Sequence, residues 1–265
     1  MSAQEARVTR LQAGDMHAII EGGELVSLRA GGHEFMHRAG EPGWGHSDTE
    51  MFPIIGPTQD AGYRVQVPRA NAVQDQHGLL RELPYERVAA DAREAVFRKA
   101  YAAGTPVPNS KYPEKSTARW LVWPYAFTFT KRFILTEAGM EVRFEIEAEK
   151  DMPFMVGYHP AFRIRSAEAQ VEAGGQAIGI AEILEVGDRA LPVRTCTEIT
   201  LQDTKALRIK TEGFGHFMLW SPDPGMICIE PITFYPYDAS PAHLHKGFRF
   251  LGDRPELFRC VLEPV

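Results

Sequence analysis

From Phe127 to Ala148 polar and apolar residues alternate with a period of two. Phe127, Phe129, Phe133 and Leu135 recur at even spacing, and Met140, Val142, Phe144, Ile146 and Ala148 then alternate with Glu141, Arg143, Glu145 and Glu147. Successive side chains of a strand point to opposite faces, so the pattern predicts a long β-hairpin with one buried and one wet face, turning at Thr136–Gly139. Shorter stretches read the same way. Ala18–Ile20 and Glu24–Leu28 flank Gly22–Gly23, a tight hairpin; Leu207, Ile209 and Thr211 alternate with charged residues; Met226–Glu230 is a short apolar strand that ends in a carboxylate and a proline. Tyr85–Ala103 has a composition that suits a helix, but Asp91–Glu94 can turn a hairpin, and among so many strands two strands are the expected form.

Composition sharpens this picture. The 265 residues include 23 glycines and 19 prolines, which interrupt the chain too often for a helix bundle and leave little room for a βαβ repeat. The expectation is an all-β chain forming a single domain over residues 1–265, with Gly104–Pro113 the loop long enough to look functional. With 29 basic and 35 acidic residues the net charge is −6, so non-specific nucleic-acid binding, which needs a basic surface, is not expected. Cys196, Cys228 and Cys260 form no C-x-x-C pair; neither a zinc ribbon nor a disulfide framework fits. The segment MSAQEARVTR lacks an apolar run and no long apolar stretch follows. A cytoplasmic protein without membrane contact is therefore expected.

Four settings could carry chemistry. His243 and His245 form an H-x-H pair, but the glycine and glutamate that accompany such a pair in cupin metal sites are missing, and no metal is expected. His77, in Gln76-His77-Gly78-Leu79-Leu80-Arg81, is either a loop histidine beside a turn glycine or part of a polar pair presented to an oxygen-rich ligand, the glycine allowing close backbone approach. His159, in Gly157-Tyr158-His159-Pro160-Ala161-Phe162, is held on restricted backbone by the proline; a buried structural imidazole and a catalytic one both fit. Glu230, in Met226-Ile227-Cys228-Ile229-Glu230-Pro231, is either a strand-end ion pair or a desolvated carboxylate raised toward the range of a general base. Asp48 and Glu50 are a weak candidate for a glycosidase carboxylate pair, since such pairs are defined by distance across the scissile bond. Nucleophile-elbow, Walker and dinucleotide-binding motifs are missing from the sequence.

Taken in order, Phe52-Pro53-Ile54-Ile55-Gly56, His77-Gly78-Leu79-Leu80-Arg81, Trp123-Pro124-Tyr125, Gly157-Tyr158-His159-Pro160-Ala161-Phe162 and Cys228-Ile229-Glu230-Pro231 resemble the aldose 1-epimerase (galactose mutarotase-like) superfamily, with the LacX-like branch as the best match. The resemblance runs from about residue 14 to the end. It implies a large antiparallel β-sandwich, the galactose mutarotase-like supersandwich, and a small-molecule sugar as partner. It further implies that Glu230 takes the proton of the anomeric C1 hydroxyl, that His159 donates one to the ring oxygen O5, and that His77 and Arg81 bind the sugar. Ring opening, rotation about C1–C2 and closure then give the other anomer. Such a reaction is close to isoenergetic and redox-neutral, so no cofactor is expected.

Trp44, Phe52, Trp123 and Trp220 are candidates for an apolar platform under the sugar, and equally for core. Related sequences usually carry Arg after the F-P-I-x-G segment, where this chain has Pro57 and Thr58. Asp48 and Asp188 are open candidates for a further acidic ligand. Two alternatives to a mutarotase of free sugars stand beside it. One is a hexose-6-phosphate 1-epimerase with Lys111, Lys115 and Arg119 as phosphate-binding cations; the other is a non-catalytic sugar-binding module of the same fold.

Overall fold

A computed structural model describes residues 8–265; most of the amino-terminal segment read above for an apolar run lies outside the described residues. The expected hairpin forms as Phe127–Thr136 and Gly139–Ala148, in register from Phe127 opposite Ala148 to Thr136 opposite Gly139. It lies in a nine-stranded sheet, in the spatial order Gln176–Gly179, Gln170–Ala173, Glu198–Gln202, Leu207–Glu212, Glu256–Pro264, Gly139–Ala148, Phe127–Thr136, Glu94–Tyr101 and Glu86–Ala90. A five-stranded sheet runs Leu191–Val193, His216–Trp220, Met226–Ile232, Gly157–Arg163 and Asp48–Met51, and a four-stranded one runs Val8–Ala13, Met16–Glu21, Glu24–Ala30 and His33–Glu34. Pairing in the two larger sheets is antiparallel.

Each hairpin follows from its turn chemistry. Gly22 and Gly23 have φ of 59° and 90°, the left-handed conformations that a two-residue turn requires. Asp91 accepts the backbone N–H groups of Arg93 and Glu94, so Tyr85–Ala103 folds as two strands despite its helical propensity. Among the described residues, no helix is long and apolar enough to cross a membrane.

The core fills the space between the nine-stranded and five-stranded sheets. Phe144 of the large sheet packs its ring 5.0 Å from that of Tyr158 of the small one, and Phe52 lies 5.4 Å from Phe129. Phe129, Phe133 and Phe144 are buried; removing such a ring from a core costs about 3–5 kcal/mol. Two positions in the inward stripe are charged. Lys131 stands between Phe129 and Phe133 with 0% exposure, and Lys99 stands between Phe97 and Tyr101 with 6%.

One expected boundary is corrected. The strand that was to end at Glu230 continues through Pro231 to Ile232, and all of its residues are buried. Pro231 sits opposite Phe217; it withdraws one ladder donor without ending the strand. Glu230 is thus a mid-strand carboxyl, with no strand end to bring it to water.

Candidate active site

The five-stranded sheet sets the central pair. Gly157 lies opposite Ile232 and Ala161 opposite Cys228, so between them His159 faces Glu230. Thr49 lies opposite His159 and Met218 opposite Glu230, which puts all four side chains on one face of the sheet. Tyr158 and Ile229 alternate to the other face, toward the core. His159 Nε2 is 3.4 Å from Glu230 Oε1, with both side chains nearly inaccessible.

Two further groups arrive on the turn that follows His77. The Phe52 N–H donates to the His77 carbonyl at 3.1 Å, the His77 N–H to the Ile55 carbonyl at 3.0 Å, and the Leu80 N–H to the Phe52 carbonyl at 3.1 Å. Gly78 has φ of 72°, and a Cβ there would overlap the Phe52 carbonyl. The glycine thus permits the close approach of two chain segments, while the His77 side chain lines the cavity described below. His77 itself holds φ of 76°, a conformation rare outside glycine. Arg81 is anchored by its Nε, which donates to the Glu50 carbonyl at 3.0 Å.

These elements enclose a cavity of about 340 Å³ lined in part by His77, Arg81, His159 and Glu230, the size of a small-ligand site. The structure therefore brings together all four residues singled out in the sequence. Trp44 stacks on the His159 ring at 4.3 Å and Trp220 meets it edge-on at 6.0 Å. Of the four aromatic candidates these two line the cavity, whereas Phe52 and Trp123 are buried in the core. Lys111 and Asp188 also line it, and Lys111 Nζ is held by Asp75 Oδ1 and the Gln76 carbonyl at 3.3 and 3.0 Å. Lys115 and Arg119 are not among the lining residues. Pro57 forms part of the wall, while Thr58 Oγ1 turns away to donate to the Gln74 carbonyl.

Asp48 and Glu50 do not face the cavity. Register puts them opposite Pro160 and Tyr158, on the core side of the sheet, where both bond Lys131. A glycosidase pair or a sugar ligand is thereby excluded for them. His243 and His245 fall on the short helical segment Pro241–Gly247, with His243 Nδ1 against Ser240 Oγ at 3.0 Å. His159, Cys228 and Glu230 do offer ligand atoms within 4.8 Å of one another. A cation there would meet the positive field of Arg81 and a thiol that burial keeps protonated, so the donor set suits a neutral polar ligand better than a metal.

Four buried polar atoms of the cavity residues have no partner: His77 Nδ1, Arg81 Nη2, His159 Nδ1 and Glu230 Oε2. Unsatisfied groups are rare and costly in folded proteins, and their convergence marks a site for a ligand rich in hydroxyl groups. Burial raises the Glu230 carboxyl to about 8, against the pull of Arg81. Burial, reinforced by Arg81, holds His159 and His77 well below the ordinary imidazole value. Across neutral pH the Glu230–His159 pair thus carries one proton, shared between a weakened acid and a weakened base.

The aldose 1-epimerase family model matches residues 9–219. The chain belongs to the aldose 1-epimerase family. Chromosomal protein LacX of Lactococcus lactis subsp. lactis is 26% identical over 289 residues, covering 91% of this chain and 89% of LacX. The plasmid LacX protein of the same organism is 26% identical over 158 residues, 56% of this chain; the chain spans about half of that relative, 48%. The structure of a galactose mutarotase-like protein from Lactobacillus casei ATCC 334 superposes with a TM-score of 0.76 at 16% identity, over 97% of this chain and 100% of that one. The galactose mutarotase-like sandwich is thereby the fold of this epimerase-family chain. The family match ends before Glu230, so the place of that residue rests on the sheet register and the cavity.

Sequence reasoning missed the ionic cluster behind the sheet. Its signal was present: the gap at position 131 in the row Phe127, Phe129, Phe133, Leu135. A lysine at a core position is almost never buried unless paired.

Proposed function

We propose that the chain is an aldose 1-epimerase that interconverts the α and β anomers of a free aldose by acid–base ring opening and closure. The observation that carries this reading is the facing of Glu230 and His159 at 3.4 Å on the floor of a sugar-sized cavity. The C1 hydroxyl and O5 are bonded to the same carbon, so base and acid have to stand side by side. In the reacting form Glu230 is ionised and accepts the C1 hydroxyl proton while His159, as imidazolium, gives its proton to O5. The C1–O5 bond breaks as the C1–O1 double bond forms; rotation about C1–C2 and reversal of both transfers close the other anomer. Trp44 holds the imidazole plane by stacking, and His77 and Arg81 offer hydrogen bonds to the remaining ring and hydroxyl oxygens.

A second reading, a 1-epimerase of hexose 6-phosphates, is favoured by one observation: Arg81 and Lys111 line the same cavity. Cation pairs of this kind suit a phosphate dianion. Polarimetry on galactose, glucose and their 6-phosphates separates the two. Free sugars are expected to be accelerated, and Lys111→Ala is expected to leave them within about threefold of wild type. Acceleration of the 6-phosphates alone, abolished by Lys111→Ala, transfers the function to the second reading. No acceleration of any sugar leaves a non-catalytic binding module.

A further inference from the structure

Lys131 and Lys99 break the apolar stripe of the large sheet, and both reach across the core to the turn and strand that hold Arg81. Lys131 Nζ forms an ion pair with Glu50 Oε1 at 2.6 Å and donates a hydrogen bond to Asp48, which accepts the Tyr158 hydroxyl at 2.6 Å. Lys99 Nζ donates to the Leu80 carbonyl at 2.9 Å, one residue before Arg81, and lies 4.1 Å from the centre of the Tyr85 ring. A buried ionic cluster gives no more stability than well-packed apolar residues of the same volume. Its position suggests a different use. Glu50 and Glu230 are the two carboxylates nearest in effect to the Arg81 guanidinium, one behind the sheet and one in the cavity. Glu230 has to gain and lose a proton in the proposed reaction, whereas Glu50 is fixed as an anion by Lys131.

We propose that Glu50 and Lys131 are positioning residues for Arg81: the cluster fixes the strand whose Glu50 carbonyl anchors Arg81 Nε, and the Glu50 anion draws the guanidinium back from Glu230. This rests on Glu230 being the base. Besides these two carboxylates, Glu24, Cys228, His77 and His159 face Arg81, and so do Lys111 and Lys99. Around Glu230 stand Arg81, His159, Cys228 and, more weakly, Tyr237. Among these, Arg81 is the group that the cluster reaches by a hydrogen bond, through the Glu50 backbone carbonyl.

Carbon-13 NMR titration of glutamate-labelled protein without sugar reads the Glu230 carboxyl, assigned by its loss in Glu230→Gln. Glu50→Gln keeps the carbonyl that holds Arg81 Nε and removes the charge. The Glu230 midpoint is then expected to fall by roughly half to one pH unit, with the basic limb of kcat/KM moving the same way. The paired variant Lys131→Met/Asp48→Asn removes one charge of each sign, which a fold tolerates better than a single loss, and leaves Glu50 unshared. Glu50, buried and without the cation that keeps it ionised, then takes up a proton, so the Glu230 midpoint is expected to fall here too, and this variant decides the matter if Glu50→Gln does not fold. In an Arg81→Met background neither change is expected to move the midpoint. Unchanged midpoints in folded variants, a rise in either, or shifts that persist without Arg81 overturn the proposal. Because the titration is read without sugar, its outcome is separate from whether any sugar is turned over.

Discussion

Glu230→Gln is expected to stabilise the fold while removing the proposed base. Burial raises the carboxyl from 4.5 to about 8, so the folded chain holds this proton more tightly than the unfolded one. The resulting stabilisation is complete below the unfolded value of 4.5 and is lost as pH rises through about 8. Each pH unit in that window withholds about 1.4 kcal/mol, and at pH 8 and above the loss approaches an upper bound of about 5 kcal/mol. Glutamine has the shape of the protonated carboxyl and does not titrate. Denaturant unfolding at one-unit steps from pH 5 to pH 9 measures both proteins; the stability of the variant relative to wild type is expected to climb across the series by several kcal/mol. Parallel curves would refute the burial argument, and with it the claim that this carboxyl is poised by desolvation.

Further outcomes follow from the same geometry. The pH profile of kcat/KM is expected to be bell-shaped: it falls as pH rises through about 8, where the Glu230–His159 pair loses its one proton, and falls again on the acid side, well below 6.5, where His159 and the carboxyl are both protonated. Gly78→Ala is expected to destabilise the chain by more than about 1 kcal/mol and to lower kcat/KM, because the new methyl meets the Phe52 carbonyl in left-handed backbone; thermal melting and initial rates check it. Lys131→Met alone leaves Asp48 and Glu50 buried without their shared cation and is expected to cost about 3–5 kcal/mol in equilibrium unfolding.

Much of the fold was legible because antiparallel strands with one wet face write a period of two into the sequence. The long hairpin from Phe127 and the Gly22–Gly23 turn are read directly in this way. Tyr85–Ala103 was legible only through its turn, where Asp91 captures two backbone N–H groups; its composition points to a helix. The end of the strand at Glu230 was misread because Pro231 looks like a terminator, although a proline removes a single donor. The four candidate site residues were picked out by motif, and their convergence was implied only by the family resemblance, since physically it depends on pairing between strands about seventy residues apart in sequence. Asp48 and Glu50 show the limit most clearly. Alternation puts them on a common face, but only the register with Tyr158 and Pro160 shows that this face is turned to the core, away from the cavity.

The central claim is that Glu230 and His159 exchange protons with a sugar ring. Two-dimensional exchange NMR on an equilibrium mixture of galactose or glucose anomers measures the α–β interconversion rate without any coupling enzyme. With wild-type protein, cross-peaks between the anomeric protons are expected to grow well above the buffer rate for at least one sugar, and Glu230→Gln and His159→Ala are each expected to lower that rate by about 10²- to 10⁴-fold. Wild-type exchange equal to buffer across a broad sugar panel, or undiminished exchange in either folded variant, contradicts the account.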